Sequence, residues 1–201
     1  MSSAAPEIIL EPESHTYTVN GRPAVSVSRV LEQIDMLQGI PREYLERAAH
    51  FGKHVHLACH LYDADELDLN ALDPALRPYL EGWARFKEDT GAHVFESELP
   101  VYHPRWGVAG MLDKLAGCAL ADLPMVIDLK SASTLQKSWR PQTAAYREAL
   151  AHTRPGQRVS RKRACVHLTG DGKYKVHTSS SPVDLNIFVS AYNCHRWMEE
   201  K

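Results

Sequence analysis

Long apolar runs are missing from this sequence, and 24% of its 201 residues are charged. A helix that crosses a bilayer needs about 20 consecutive apolar residues. The first residues, Met1 to Pro6, have neither the basic start nor the apolar centre of a secretion signal. These absences predict a cytoplasmic protein without a membrane partner.

Cysteine is scarce, and its spacing excludes the common cysteine-based sites. The four cysteines are Cys59, Cys118, Cys165 and Cys194, and the two closest in sequence are 29 residues apart. No Cys-x-x-Cys pair occurs, which argues against a zinc ribbon and against a disulfide framework.

A zinc-protease motif of the form His-Glu-x-x-His is also missing. Histidines do stand at positions 50, 54, 56 and 60, inside a segment with helical periodicity. The pairs 50/54 and 56/60 have the spacing of neighbours on one helix face, so a zinc site remains an alternative. No third ligand at a suitable spacing accompanies either pair, and zinc is therefore not the favoured metal.

The chain has no excess of positive charge, since its formal net charge is −2. This excludes a uniformly basic nucleic-acid binder, although a local basic surface remains possible. Basic residues are concentrated between positions 154 and 175, where Asp171 is the single acidic residue. The segment predicts a phosphate-binding surface or, equally, a hairpin edge protected by charge. The phosphate-binding candidates are Arg158, Arg161, Lys162, Arg163, Lys173 and Lys175.

Apolar periodicity predicts alternating helices and strands in one domain, and 44% hydrophobic residues suffice for a sizeable core. Helices are expected over residues 41–62, 74–90, 139–152 and 182–198. Strands are expected over residues 94–102, 108–118, 125–131, 164–168 and 173–178. In the last helix, the residues expected to face the core are Leu185, Phe188, Val189, Tyr192 and Trp197.

Two aspartates and a lysine are predicted on one face of a hairpin. With the turn centred near Leu120 and Ala121, Asp113 and Asp128 lie at equal distances from it. Residues directly opposite on antiparallel strands have Cβ atoms about 4.5–5.5 Å apart. Lys130 follows Asp128 by two residues, so its side chain points to the same face.

Two neighbouring carboxylates repel each other but suit Mg²⁺ or Mn²⁺, which prefer oxygen ligands. Such an ion lowers the pKa of a bound water and polarises a phosphodiester oxygen, while a lysine orients the water or offsets developing charge. The pattern therefore favours metal-dependent hydrolysis. The alternative is that Asp128 and Lys130 are ordinary partners on a strand surface, because Asp-x-Lys alone is a weak signal.

The preceding strand offers a further acid. With a turn centred between Pro104 and Arg105, Glu96 would lie opposite Asp113, and Glu98 would follow two residues along on the same face. Either glutamate could support the site, or one or both could be solvated strand residues.

Polar and aromatic residues of the helix that follows Lys130 also face one way. Gln142 and Tyr146 are four residues apart, so they share a helix face. Trp106, Trp139 and Tyr146 could stack on unpaired bases, although most tryptophans simply belong to the core.

Five motifs carry a family resemblance: Gly52-x-x-x-His56, Glu98, Gly110-x-x-Asp113, Asp128-x-Lys130 and Gln142-x-x-x-Tyr146. In this order they resemble RecB-like nucleases of the PD-(D/E)xK superfamily, and more narrowly the compact exonucleases of phage and mitochondrial genome maintenance. The resemblance covers roughly residues 51–150. The opening His15-x-Tyr17-x-Val19-x-Gly21 is similar to the N-terminal hairpin of phage-type members. Asp128 and Met111 depart from many relatives, which carry Glu and a small hydroxylated residue.

The resemblance implies a role for each matched residue. Asp113, Asp128, the backbone carbonyl of Leu129 and His56 would bind Mg²⁺ or Mn²⁺, with Glu98 as a supporting acid. Lys130 would be the catalytic lysine, and Gln142 and Tyr146 would position the nucleic acid or the lysine. The set of one early and three late cysteines that holds an iron-sulfur cluster in some relatives does not occur here, so no cluster is expected.

The resemblance also implies an α/β fold with a restriction-endonuclease-like core, a central mixed β-sheet flanked by helices. Residues 1–201 would form one domain, with an N-terminal hairpin and helix (1–40), a catalytic core (41–152), and a C-terminal hairpin and closing helix (153–201). The expected partner is double- or single-stranded DNA, with a recombination or single-strand-binding protein as a further candidate. The expected location is the cytoplasm of a bacterial or phage-infected cell.

The implied activity is that of a deoxyribonuclease, an exonuclease acting at DNA ends in recombination, repair or phage DNA processing. A structure-selective endonuclease is the nearest alternative. A different class is a catalytically silent nucleic-acid-binding protein that keeps the fold.

Overall fold

A computed structural model describes residues 6–11, 16–32, 34 and 41–200. The predicted motif residue His15 and parts of the N-terminal segment 1–40 lie outside this range. The elements in chain order are β1 (Ile8–Glu11), β2 (Thr16–Val19), β3 (Arg22–Ser26), α1 (Val27–Leu31), α2 (Arg42–Asp63), α3 (Arg77–Thr90), β4 (His93–His103), β5 (Val108–Cys118), β6 (Ala121–Lys130), α4 (Trp139–Thr153), β7 (Arg163–Leu168), β8 (Tyr174–Ser179) and α5 (Val183–Glu199).

The strands of the described residues form one sheet in the order β1-β2-β3-β5-β6-β7-β8, and β4 also pairs with β5. The β3–β5 and β6–β7 pairs are parallel, whereas the other pairs are antiparallel. A parallel pair needs a crossover connection, which α4 supplies between β6 and β7. The expected α/β class with a central mixed sheet flanked by helices is confirmed. The N-terminal strands extend this central sheet through β3.

One edge of β5 is shared between two partners. Because β4 pairs with β5 along almost its whole length, β3 and β6 must use the opposite edge. There, β3 pairs with Val108 and Ala109, and β6 pairs with β5 only from Lys114 onward. Among the recorded strand pairs, residues 110–113 therefore have no partner on that edge, and this stretch contains Gly110 and Asp113.

Two apolar clusters cover the two faces of the sheet. One cluster joins the sheet to α1, α4 and α5, and the other joins it to α2 and α3. The adjacent residues Val126 and Ile127 belong to different clusters, as strand geometry requires. Asp128 shares the direction of Val126, so its side chain points to the α4 side of the sheet.

The closing helix α5 differs in one respect from the prediction. Phe188 and Tyr192 are buried as expected, but Trp197 is 74% exposed. His195 is buried, and a residue two positions later lies about 200° further around a helix of 3.6 residues per turn. Trp197 therefore points away from the core. No helix of the described residues is both long and apolar enough to cross a bilayer.

Candidate active site

Asp113 and Asp128 come together as the hairpin pattern predicts, although the turn differs. The structure has a two-residue turn at Ala119 and Leu120, one position earlier than expected, and β6 begins at Ala121 instead of 125. A register shift near Gly117 compensates, so that Lys114 pairs with Ile127. One step further along this register brings Asp113 opposite Asp128. Both carboxylates are buried.

The prediction that Glu96 lies opposite Asp113 is wrong, and Glu98 occupies that position. Leu99 pairs with Leu112 and Ser97 with Lys114, which leaves Glu98 across from Asp113. The turn occupies four residues, 104–107, and is thus centred one position later than expected, which moves the register by two. Glu96 pairs instead with Arg154, at 2.8 Å between Oε2 and Nη2.

His56 of α2 completes the group. Its Nδ1 lies 3.4 Å from Asp113 Oδ1. The ligand atoms of His56, Glu98 and Asp113 all lie within 4.8 Å of one another. The second oxygen of Asp113, Oδ2, accepts a hydrogen bond of 2.7 Å from the backbone N–H of Leu129. Glu98, which was expected only to support the site, therefore lies within ligand distance of both His56 and Asp113.

The donor atoms of this group fit a hard divalent cation. Glu98 Oε1 and Asp128 Oδ1 are buried, and neither has a hydrogen-bond partner in the described part of the chain. Buried polar atoms without partners are rare and costly, so each one needs an explanation. Carboxylate oxygens with one imidazole nitrogen are suitable ligands for Mg²⁺ or Mn²⁺.

Lys130 lies beside Asp128, with its Nζ 2.7 Å from Asp128 Oδ2. Burial raises the pKa of Asp128 to about 6, and the Asp113 carboxylate adds to this effect although the Lys130 ammonium opposes it. Burial alone would lower the pKa of Lys130, but Asp128 and Asp113 raise it to about 12. Lys130 is therefore a positively charged donor at neutral pH.

The other acids and His56 also influence one another. Burial opposes the charged form of His56, yet the Asp113 carboxylate outweighs burial and raises the pKa of His56. Burial likewise opposes ionisation of Asp113, but His56 and Lys130 outweigh it and lower the pKa of Asp113. Burial and then Asp113 raise the pKa of Glu98. The site therefore combines an ionised Asp113 with two carboxyls, Asp128 and Glu98, whose charge a cation would favour.

Gln142 and Tyr146 lie on the same face of α4, as their spacing predicts, and Gln142 Nε2 donates to the Tyr146 hydroxyl at 3.1 Å. Gly110 explains the position of this tyrosine. A Cβ at Gly110 would lie 2.5 Å from Tyr146 Cε1, so the ring packs directly on the glycine backbone. Position 110, three residues before Asp113, is therefore occupied by a small residue because α4 contacts the strand there.

A cavity of about 460 Å³ opens beside these residues. Sequence reasoning missed one of its walls, which comes from the N-terminal elements. That wall includes Tyr17 of β2 together with Ser26, Val27 and Ser28 around the start of α1. Burial and then Glu98 raise the pKa of Tyr17 to about 12, so its phenol stays protonated. The alternation around Tyr17 was the available signal, but it predicted only a hairpin.

The basic candidates divide into exposed and buried residues. Arg158, Arg161, Lys173 and Lys175 are exposed, and Lys162 is half-buried. Lys173 pairs with Asp171 in the β7–β8 turn, at 2.8 Å.

Two candidates differ from the expectation of nucleic-acid contact. Arg163 is buried, and its Nη2 lies 2.6 Å from Asp184 Oδ2, so its guanidinium already has an internal partner. Trp139 is 7% exposed and its ring lies beside His177. Arg163 and Trp139 are structural residues, because neither presents its polar or aromatic surface to solvent.

The histidines of α2 do not assemble a zinc site in the described part of the chain. His54 Nδ1 hydrogen-bonds to the His50 carbonyl, and His60 Nδ1 to Ser97 Oγ. One further group of potential ligands contains His103, Glu148 and His152. There the backbone N–H of Trp106 donates to His103 Nδ1, which leaves the ring proton on Nε2 and makes His103 a poor ligand.

Comparison of the sequence with family models and with curated proteins finds no match. Among solved structures, the crystal structure of an alkaline exonuclease (LHK-Exo) from Laribacter hongkongensis is similar, with a TM-score of 0.43 and 18% identity over 88% of this chain and 89% of that one. LHK-Exo in complex with dAMP gives a TM-score of 0.38 and 17% identity over 85% of each chain.

Proposed function

We propose that this protein is a Mg²⁺- or Mn²⁺-dependent deoxyribonuclease that hydrolyses phosphodiester bonds at DNA ends. The observation that carries the proposal is the convergence of Asp113, Asp128 and Lys130 with His56 and Glu98 beside the unpaired stretch of β5. Acids, an imidazole and an amine from three strands and a helix meet there, and His56, Glu98 and Asp113 of this group line the cavity of about 460 Å³. The order of the five motifs supports the preference for DNA ends.

In this proposal His56, Glu98, Asp113 and Asp128 hold the cation, and the Leu129 carbonyl is a further candidate ligand. The bound ion would acidify a water and polarise a phosphodiester oxygen. Asp113 is oriented by the Leu129 N–H and by His56, which keeps one of its oxygens directed at the ligand group.

Lys130 supplies positive charge where the phosphorus oxygens become more negative, and it orients the attacking water through its N–H groups. Its raised pKa makes it an unsuitable base at neutral pH, so it acts as a charged donor. Tyr146, held by Gln142 and by Gly110, would orient either the substrate or Lys130 from the α4 side.

A path for the DNA backbone follows from strand pairing. Lys130 pairs with His167 of β7, and His167 pairs with Lys175 of β8. Residues paired across a sheet share a face. An exposed lysine, Lys175, therefore continues the row that begins at Lys130, and we assign it to phosphate binding, together with the exposed Lys173, Arg158 and Arg161 and the half-buried Lys162.

The test is cleavage of end-labelled linear DNA and of closed circular DNA, with Mg²⁺ or Mn²⁺ and with EDTA. Metal-dependent loss of linear DNA alone is expected, and Lys130→Ala should reduce the rate by about 100- to 1,000-fold, the usual effect of removing one donor to a transition-state charge. Cutting of the circle would identify an endonuclease. DNA binding without cleavage under every condition would contradict the proposal and identify a silent binding protein.

A further inference from the structure

A second group of polar side chains, buried or half-buried, lies directly behind the proposed ligands. Its centre is Lys114, which is fully buried. The Lys114 ammonium lies 2.7 Å from Asp63 Oδ2 and donates to Ser97 Oγ at 2.6 Å. Ser97 Oγ is also joined to His60 Nδ1 by a hydrogen bond of 2.9 Å. We call Asp63, Lys114, Ser97 and His60 the Lys114 frame.

Each proposed ligand of the group His56, Glu98 and Asp113 has a member of this frame on its own helix or strand. His60 follows His56 by four residues, which is about one turn of α2. Ser97 directly precedes Glu98 on β4, and Lys114 directly follows Asp113 on β5. The Lys114 frame therefore links α2, β4 and β5 close to the ligand that each of them carries.

The backbone at Glu98 shows why such a link is needed. Glu98 has φ of 52°, in the left-handed region that non-glycine residues rarely occupy. Such a conformation persists only when the surroundings determine it, and it occurs preferentially at functional sites. On one side of Glu98, Ser97 is held by Lys114 and His60, and on the other side Leu99 pairs with Leu112.

The Lys114 frame is an inefficient means of stabilising the fold. A buried ion pair is often no more stabilising than apolar side chains of similar volume, because both charges lose their hydration. Asp63 takes further bonds from the Trp83 indole N–H, at 3.0 Å, and from Lys87 Nζ, at 2.7 Å, so its position is fixed in several directions. Directional bonds fix distances between elements more strictly than apolar contacts do.

We propose that Ser97 and Lys114 are positioning residues, which set the distances between His56, Glu98 and Asp113 and thereby the affinity of the site for its divalent cation. This inference rests on the proposed metal site. No atom of the Lys114 frame belongs to the ligand group, yet the frame would have a measurable effect on metal binding.

The experiment compares serine variants of the full chain. Ser97→Ala removes the shared hydroxyl, and Ser97→Thr keeps a hydroxyl. Ser179→Ala is the matched control, because Ser179 Oγ donates to Asp184 Oδ2 in a different buried ion-pair network. Free Mn²⁺ is measured by electron paramagnetic resonance in a titration of each variant, and thermal unfolding in EDTA gives its stability.

We expect Ser97→Ala to bind Mn²⁺ about 10- to 100-fold more weakly, the usual effect of removing a partner that orients metal ligands. Ser97→Thr should restore most of the affinity, and Ser179→Ala should bind like the wild type even when it unfolds at a lower temperature. Lys114→Met should repeat the loss, and if Lys114→Met does not fold, Ser97→Ala decides the question. Unchanged Mn²⁺ affinity in folded Ser97→Ala would overturn the inference, as would an equal loss in Ser179→Ala.

The measurement separates this inference from the proposed function. A wild-type protein that binds Mn²⁺ but cleaves no DNA would contradict the nuclease, while the affinities of the variants would still decide the role of the frame. A wild-type protein that binds no Mn²⁺ would overturn both.

Discussion

Replacing Gly110 with alanine should displace Tyr146 and weaken both the fold and the activity. The new Cβ would lie 2.5 Å from Tyr146 Cε1 and 3.4 Å from Val27 Cγ2. Carbon atoms in contact are about 3.5–4.0 Å apart, so the ring must move by about 1 Å. The backbone of Gly110 lies outside the positive-φ region, and alanine meets no other obstacle there.

The structure sets the size of the effect. Overpacking a buried site costs about 1–3 kcal/mol. Tyr146 borders the cavity beside the site, into which its ring can shift, so we expect the lower half of this range, about 1–2 kcal/mol. In a Tyr146→Ala background the obstacle is gone, and Gly110→Ala should be neutral or stabilising by up to about 1 kcal/mol, because alanine restricts the unfolded chain.

Urea unfolding of the wild type, the two single variants and the double variant forms a double-mutant cycle. We expect a coupling energy of at least about 1 kcal/mol between Gly110 and Tyr146, as for residues in contact. Cleavage by Gly110→Ala should also fall at temperatures where the variant is fully folded. An equal cost of Gly110→Ala in both backgrounds would refute the reasoning, because the cost would then not come from the tyrosine ring.

Three further predictions concern charge. In EDTA, the free energy of unfolding should fall as the pH rises from about 4 to 7. The raised pKa of Asp128, about 6, means that the folded state holds this proton more tightly, and the resulting stability is lost as the pH passes 6. Urea unfolding from pH 4 to 8 should show a flatter slope for Asp128→Asn, and identical slopes would contradict the assignment. Asp184→Ala should lower the free energy of unfolding by about 3–5 kcal/mol in the same assay, because it leaves the buried Arg163 without its charged partner. Asp171 is exposed, and Asp171→Ala should leave the midpoint of unfolding unchanged. Lys175→Ala should weaken DNA binding and reduce by about 1 the slope of the logarithm of the binding constant against the logarithm of the salt concentration. Arg85 is exposed on α3, and Arg85→Ala should not change this slope. Equal slopes for the wild type and both variants would remove Lys175 from the DNA path.

Short-range periodicity accounts for the parts of the site that were predicted from sequence. Asp128 and Lys130 share a face because strand side chains alternate, and Gln142 and Tyr146 share one because helical residues four apart are neighbours. Neither relation depends on any other part of the chain.

Register across a turn was less predictable. The meeting of Asp113 with Asp128 survived an error in the turn because an irregularity near Gly117 compensated for it. No such compensation occurs in the β4–β5 hairpin, so Glu98 instead of Glu96 faces Asp113. A shift of one position in the centre of a turn moves every cross-strand partner by two, and turn length is set by backbone conformations that side-chain patterns describe poorly.

The sequence by itself determined the type of each element from α2 to α5, the direction of side chains within it, and the acid-acid-lysine pattern on one face of the β5–β6 hairpin. Only the tertiary structure decided that Tyr17 borders the cavity, that Arg163 is buried against Asp184, and that Lys114 lies behind the ligand group. The physical reason is range. Direction within a strand or helix follows from local backbone geometry, whereas contacts between residues distant in sequence depend on how whole elements pack.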